Sequence, residues 1–270
     1  MDPDIVPFEG VGPWDGSEAG AGRVTVSAIQ RGLELARKGR IGALVTGPSH
    51  KPALRAAGWE VPGQTELLGQ LTEARDVGML MCAESTGLGG ALRVLLATTH
   101  LPLRDVFREL TAELLLRQSH LLNRALMEDW GIPAPRVGLC ALNPHAGDQG
   151  LFGTEEKEIF RPVVARLRAE GVDALGPLPA DTVFHKALSG ELDAVVAPYH
   201  DVGMAAFKSV SFGKGVNVTL GLPLIRTSPD HGTAFDIAGT GRADPGSAQE
   251  AIRLAMFLME NRFDTFRGHG

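Results

Sequence analysis

Short apolar runs alternate with amphipathic stretches along most of this chain, and few folds accommodate that alternation. Residues 41–45, 92–98, 137–142 and 193–197 are brief runs dominated by Ile, Leu, Val and Ala, with the length and composition of buried strands. Between and around them, residues 24–38, 104–130, 155–170 and 249–260 place apolar side chains close to helical spacing,. Gly39 stands where the first of these helices needs a stop,. The pattern predicts an α/β fold with a largely parallel or mixed sheet. Residues 1–23, rich in Gly, Pro, Asp and Glu, read as loop. There is no internal repeat, low-complexity linker or shift in composition to mark a domain boundary.

Composition narrows the function classes. A chain of 270 residues with 44% hydrophobic content can bury a large core, and a formal net charge of -6 without a Lys/Arg cluster excludes a general nucleic-acid binder,. Its first residues are acidic, and no run approaches the roughly 20 apolar residues of a membrane span, so a cytoplasmic protein without a membrane partner is expected. Cys82 and Cys140 are far apart in apolar surroundings, which predicts buried free thiols rather than a disulfide or a cysteine-rich zinc site,.

Three histidines stand in unusual contexts, each after an expected strand or a proline turn: Thr99-His100-Leu101-Pro102, Asn143-Pro144-His145-Ala146-Gly147 and Tyr199-His200-Asp201. Three imidazoles suit a catalytic divalent ion, because they leave coordination positions for a substrate. No local zinc motif such as His-Glu-x-x-His is present, so ordinary surface or core histidines are the competing reading, and it is the one expected for His120, His185 and His269. Lys208, Asn217 and Arg226 lie in or just beyond a Gly-rich segment, residues 207–221. An ammonium, an amide and a guanidinium suit phosphate or carboxylate groups, with ordinary surface charge as the alternative. Asp181 and Asp201 can orient an imidazole, bind a metal or accept a proton, while a helix N-cap is the competing role for Asp181. No Gly-x-Gly-x-x-Gly follows a strand; Gly213-Lys214-Gly215 and Gly239-Thr240-Gly241 are incomplete matches,.

Taken in order, several longer segments resemble the 4-hydroxythreonine-4-phosphate dehydrogenase family of pyridoxal phosphate biosynthesis. They include Val45-Thr46-Gly47-Pro48-Ser49-His50-Lys51, Ala97-Thr98-Thr99-His100-Leu101-Pro102-Leu103, Leu142-Asn143-Pro144-His145-Ala146-Gly147, Gly153-Thr154-Glu155-Glu156 and Gly176-Pro177-Leu178-Pro179-Ala180-Asp181-Thr182. Gly215-Val216-Asn217-Val218-Thr219-Leu220-Gly221 and Ile225-Arg226-Thr227-Ser228 continue the set. His231-Gly232-Thr233-Ala234-Phe235-Asp236-Ile237-Ala238-Gly239 is also similar to a non-Rossmann NAD site of the isocitrate and isopropylmalate dehydrogenases.

The resemblance implies a two-domain isocitrate/isopropylmalate dehydrogenase-like fold with an interdomain cleft. One domain would comprise residues 1–66 and 213–270 on the NAD side, and the other residues 67–212, carrying metal and dimer contacts. It further implies a homodimer with a shared active site, in which His100, His145 and His200 hold one divalent ion (zinc, magnesium, manganese or cobalt) and His100 reaches across the dimer. Gln64, Thr65, Lys208, Asn217 and Arg226 would contact substrate. His231, Gly232, Ala234, Asp236, Ile237 and Gly239 would line the cofactor, with Asp236 favouring NAD over NADP. The implied chemistry is oxidation of a secondary alcohol and loss of carbon dioxide, with Asp181, Asp201 and Lys208 as catalytic candidates. Three departures bear on this. Gln64 replaces the family's histidine in Gly-His-Thr-Glu, which opens threonate or erythronate 4-phosphate, or another hydroxy acid, as alternative substrates. The family's opening strand and its glycine-rich loop have no counterpart, so a start upstream of Met1 is expected, with a non-catalytic truncated scaffold as the other possibility. The loop at 84–90 is also longer than the family pattern.

Overall fold

Eight strands form one mixed sheet among the described residues, and its order brings the three histidine-bearing exits to one edge. The computed structural model describes residues 15–211 and 213–267, the last five of these by backbone alone. The strands are β1 (Ala43–Val45), β2 (Gly78–Ala83), β3 (Leu92–Leu96), β4 (Arg136–Cys140), β5 (Asp173–Leu178), β6 (Ala194–Ala197), β7 (Val216–Leu220) and β8 (Ile225–Pro229). They lie in the order β1-β8-β7-β2-β3-β6-β4-β5. Strands β3, β6, β4 and β5 are mutually parallel, so their C-termini share an edge. Strand β2 runs antiparallel to both β3 and β7 and joins the two halves into one sheet.

Alternation along the strands divides the core. Leu80, Leu95, Val137, Leu139, Val196 and Val218 pack with α5 (Ala112–Glu128), α6 (Arg161–Ala169) and α9 (Gly246–Arg267). On the other face Met81, Val94, Leu96, Cys140 and Val195 meet α7 (Ala180–Leu188) and α8 (His200–Ser211). This is the period of two expected for a sheet covered on both sides. A third cluster joins α1 (Glu18–Arg37), α2 (Lys51–Ala56) and α3 (Gln64–Thr72) through Val26, Ile29, Leu33, Leu54, Leu67 and Leu68, closed by Leu222 and Leu224. It fixes the start of α3 beside β7 and β8. Cys82 and Cys140 are buried and free, as expected, and no described helix is long and apolar enough to cross a membrane.

Several boundaries differ from the sequence reading for identifiable reasons. The loop expected over residues 1–23 gives way to helix at Glu18, because Ser17 caps it by accepting a hydrogen bond from the Gly20 amide at 2.9 Å,; residues 1–14 lie outside the described residues. The single helical region expected over 104–130 is two helices, α4 (Leu103–Glu109) and α5. Thr111 starts the second by accepting from the Leu114 amide at 3.2 Å. The helix expected over 155–170 opens as a π-helical turn, Glu156–Phe160, before α6; Pro162 sits in the first turn of α6 and has no amide to donate. In the Gly-rich stretch, Lys208 belongs to α8 and Asn217 to β7.

Helices α1 and α2 cross at Gly22, where a Cβ would lie 2.0 Å from the backbone oxygen of Ala53. We expect Gly22→Val to force the two helices apart and destabilise the fold by about 2 kcal/mol, read as a lower urea midpoint at unchanged m-value.

Candidate active site

The exit of β3 and the exit of β6 carry two of the histidines to the same place. Ala97 donates its amide to the Ala197 oxygen at 2.9 Å, and the buried Thr98 hydroxyl donates to the Pro198 oxygen at 2.8 Å. This fastening sets the His100 and His200 ring centroids 5.6 Å apart. His200 is the first residue of α8, and its Nδ1 lies 2.7 Å from Asp201 Oδ1. A proton held on Nδ1 by that carboxylate leaves Nε2 with its lone pair outward, the tautomer a metal ligand needs. At His100, burial and then the Lys51 ammonium hold the imidazole pKa below its usual value, while the Glu66 carboxylate acts in the opposite sense. The lowered pKa favours the neutral, metal-binding form of His100. His145 follows β4 but stands apart, in a tight left-handed turn with its ring 6.4 Å from that of Phe152. No group of three or more metal-ligating side chains is gathered within the chain among the described residues.

A buried arginine organises the neighbouring wall. Arg226 projects from β8 with 3% of its surface exposed. Its Nη1 donates to Thr219 Oγ1 at 2.9 Å, and its Nη2 donates to Thr46 Oγ1 and Gln64 Oε1, both at 2.7 Å. Gln64 is held at its other end, where Nε2 donates to the Gly47 oxygen at 3.1 Å. Thr65 Oγ1 lies 3.4 Å from Thr219 Oγ1. Among the described residues no carboxylate pairs with Arg226 within contact distance, and burial lowers its pKa to about 10, with Glu66 opposing. Arg226 Nε, Asn217 Oδ1 and Glu66 Oε2 are buried without a hydrogen-bond partner among the described residues. Unsatisfied donors and acceptors of this kind are costly in a finished core, and are what a polar ligand would complete.

Beyond this wall lies a cavity of about 490 Å³ lined by Lys208, Ser211, Asp230, His231, Ala234, Ile237, Gly239, Asp244 and Ser247, among others. Lys208 Nζ donates to the Asp230 backbone oxygen at 3.1 Å and lies 3.3 Å from Asp230 Oδ2. Ala234 takes a left-handed φ of 47° just before the short 3-10 turn Phe235–Ile237, bending the segment around the cavity. Of the six expected cofactor residues, His231, Ala234, Ile237 and Gly239 line it, whereas Gly232 and Asp236 do not. Asp181 is exposed in the first turn of α7 and makes no hydrogen bond or ion pair among the described residues. The expected alternative, that Asp181 caps this helix, is corrected: Pro179 occupies the cap position.

Reading the sequence by motif missed Thr46, Thr219 and Glu66. Thr219 had a signal, since it shares one face of β7 with Asn217 at a spacing of two. Glu66 follows the substrate candidates Gln64 and Thr65 directly in the first turn of α3, where an acid favours the helix dipole,. Thr46 lay within a quoted segment, but only the β1–β8 pairing brings it to Arg226.

Residues 3–255 match the family described as pyridoxal phosphate biosynthetic protein PdxA. The chain belongs to this family. It is 47% identical over 234 residues to the 4-hydroxythreonine-4-phosphate dehydrogenase of Chromobacterium violaceum, covering 87% of this chain and 70% of that protein. Among solved structures, the 4-hydroxythreonine-4-phosphate dehydrogenase of Klebsiella pneumoniae is similar at a TM-score of 0.80 and 43% identity, over 89% of this chain and 72% of that one. The isocitrate dehydrogenase of Methylococcus capsulatus, at a TM-score of 0.51 and 15% identity over 93% of this chain and 84% of that one, shares the fold alone. The expected fold class is thus borne out for this PdxA family member.

Thr219 is buried and accepts from Arg226, so Thr219→Val, of similar shape, would strand one guanidinium nitrogen. The expected loss is about 2 kcal/mol, measured by chemical denaturation of the ligand-free protein.

Proposed function

We propose that this chain is a 4-hydroxythreonine-4-phosphate dehydrogenase, oxidising 4-phosphohydroxy-L-threonine with NAD and a divalent ion and releasing carbon dioxide to give 3-amino-2-oxopropyl phosphate. The observation that carries this reading is the buried Arg226 wall, with unpartnered polar atoms on Arg226, Asn217 and Glu66, lying in the same fold as the His100–His200 pair and the cavity at Lys208. Arg226 and Asn217 would hold the anionic end of the substrate, with Gln64 and Thr65 fixing the approach. Lys208, anchored on Asp230 beside the cavity, would neutralise charge at the reacting end and move a proton there. Asp201 would orient His200. Asp181, exposed and without polar contacts, receives no role.

The donor set fits the implied metal in part. His100 and His200 offer imidazole nitrogens, a chemistry suited to zinc or cobalt more than to magnesium. His145 is the histidine that stands apart within the chain, so we assign it, rather than His100, as the ligand lent by a second copy. Apolar side chains support such a homodimer: Leu101, Leu103 and Phe107 are exposed beside His100, and Leu151 and Phe152 beside His145,. When bound, the ion would polarise the substrate oxygen and NAD would take the hydride. For the cofactor we favour NAD over NADP, because the carboxylates of Asp230 and Asp244 line the cavity and, among the described residues, Lys208 is the one Lys or Arg on its wall,. The cleft would separate a lobe of residues 1–66 and 213–270 from one of residues 67–212, meeting along the β2–β7 pair. We place the enzyme in the cytoplasm.

Gln64 motivates a second reading, a sister dehydrogenase of threonate or erythronate 4-phosphate, because its amide is fully engaged by Arg226 and Gly47 and cannot become cationic,. Assays of NADH production with cobalt or zinc, offering all three substrates, decide between them. Turnover of 4-phosphohydroxy-L-threonine is expected; turnover of an aldonate phosphate alone establishes the second reading, and silence on all three overturns both. Gln64→Ala, by releasing Arg226, is expected to raise KM about tenfold with a smaller change in kcat.

A further inference from the structure

The turn that presents His145 is strained, and a buried carboxylate outside the site described so far holds its entrance. Residues 144–150 leave β4 through six consecutive positive φ angles: His145 52°, Ala146 53°, Gly147 79°, Asp148 39°, Gln149 58° and Gly150 102°. Four of the six are not glycine, and each such residue costs about 1–2 kcal/mol relative to its ordinary conformation. A run of this kind persists only where its surroundings over-determine it.

Glu156 supplies that determination. It is 2% exposed and sits in the π-helical turn Glu156–Phe160, an irregularity found often at functional sites. Its Oε1 accepts from the backbone amides of Leu142 at 3.0 Å and Asn143 at 2.7 Å. Its Oε2 accepts from Asn143 Nδ2 at 3.0 Å. The same Asn143 nitrogen donates to Glu155 Oε2 at 2.8 Å. The turn folds back onto this carboxylate: a Cβ on Gly147 would lie 2.8 Å from Glu156 Oε2. One side chain thus grips the two residues that lead into the turn and packs against its middle. Burial raises the pKa of neighbouring Cys140 to about 12, with the Glu156 charge adding to the effect.

We propose that Glu156 is the positioning residue of His145: its carboxylate fixes the left-handed turn and so determines where that imidazole is presented. The inference rests on the reading of His145 as a metal ligand. Charge-assisted bonds to backbone amides are strong and directional, and partners that orient metal ligands commonly matter about 10–100-fold in metal affinity.

The test uses the full chain and cobalt(II), titrated by its visible absorbance, for wild type, Glu156→Ala, Glu156→Gln, His145→Ala and the Glu156→Ala/His145→Ala double variant. Glu156→Ala is expected to weaken cobalt binding about tenfold, and Glu156→Gln, which keeps an oxygen for the two amides, to recover most of it. In the His145→Ala background, Glu156→Ala should cost nothing further, because no imidazole remains to be placed. Equal losses in both backgrounds, or a lower thermal midpoint with unchanged cobalt affinity, overturn the proposal. Hydrogen exchange across residues 144–152 separates it from the ligand reading. If His145→Ala binds cobalt as wild type does, that reading falls. Faster exchange in Glu156→Ala but not in Glu156→Gln still supports Glu156 as what fixes the turn, and unchanged exchange overturns it. Should the alanine variant fail to fold, Glu156→Asp, which withdraws the carboxylate by one methylene, is read in the same way.

Discussion

The guanidinium of Arg226 is the constraint on which the rest of the molecule turns. A cation at 3% exposure without a paired carboxylate is expensive,, and the fold offsets that cost only with neutral oxygens drawn from distant parts of the chain. Thr46 follows β1, Gln64 opens α3, and Thr219 stands in β7 opposite the arginine. Each depends on register. The pairings Leu44↔Arg226 and Val218↔Thr227 bring Thr46 and Thr219 to the guanidinium, and a one-residue slip would turn one of them to the wrong face. The satellite core of α1, α2 and α3 serves the same end, since it presses the first turn of α3 against β7 and β8.

Strand direction does for the histidines what register does for Arg226. Because β3, β4 and β6 run parallel, every chain exit on that side opens at one edge, the usual location of ligands in open α/β sheets. The antiparallel strand β2 interrupts the pattern and in doing so lets β7 and β8 bring the arginine wall into the same sheet. Two of the three histidine-bearing exits are cross-fastened to each other through Thr98 and Ala97. The third is fastened instead to Glu156, which explains why His145 stands away from the pair it resembles in sequence context.

Much of this was legible in the chain, and the illegible parts have physical causes. The buried strands at 92–98 and 137–142 announced themselves, because a strand covered on both faces is usually dominated by apolar residues. Strand β8 did not: Arg226, Thr227 and Ser228 are polar yet buried, and their satisfaction by Thr219 and the Ala251 oxygen is invisible without the fold. Strand β2 was hidden because Gly78 and two methionines mimic no strand propensity. The candidate site residues Lys208, Asn217 and Arg226 were found by residue chemistry, but the helix and two strands that carry them were not read from the sequence. The left-handed turn was unreadable as a run, since Ala146 and Gln149 give no hint of positive φ and only Gly147 and Gly150 are the residues that favour it,. Its cause lies at Glu156, and a distant carboxylate gripping two amides leaves no local pattern.

Several departures from the rules of a finished core fall on the candidate residues, and others do not. Among the described residues, unpartnered polar atoms sit on Glu66, Asn217 and Arg226, but also on Gln118 and Ser119 in α5 and on Ser211 in α8. Left-handed alanine, aspartate and glutamine surround His145, while Glu73 and Ala234 are left-handed elsewhere. Exposed leucines and phenylalanines flank His100 and His145, and Ile252, Met256 and Phe257 are exposed on α9. Such conflicts are therefore not confined to the site; what distinguishes it is that three different kinds fall on the residues the proposed function uses. On that proposal each would await a different complement: an anion for the arginine, an ion for the imidazoles and a second copy for the apolar rim. The conflicts at these residues would then mark where the other components belong, whereas those within α5 are ordinary costs of packing.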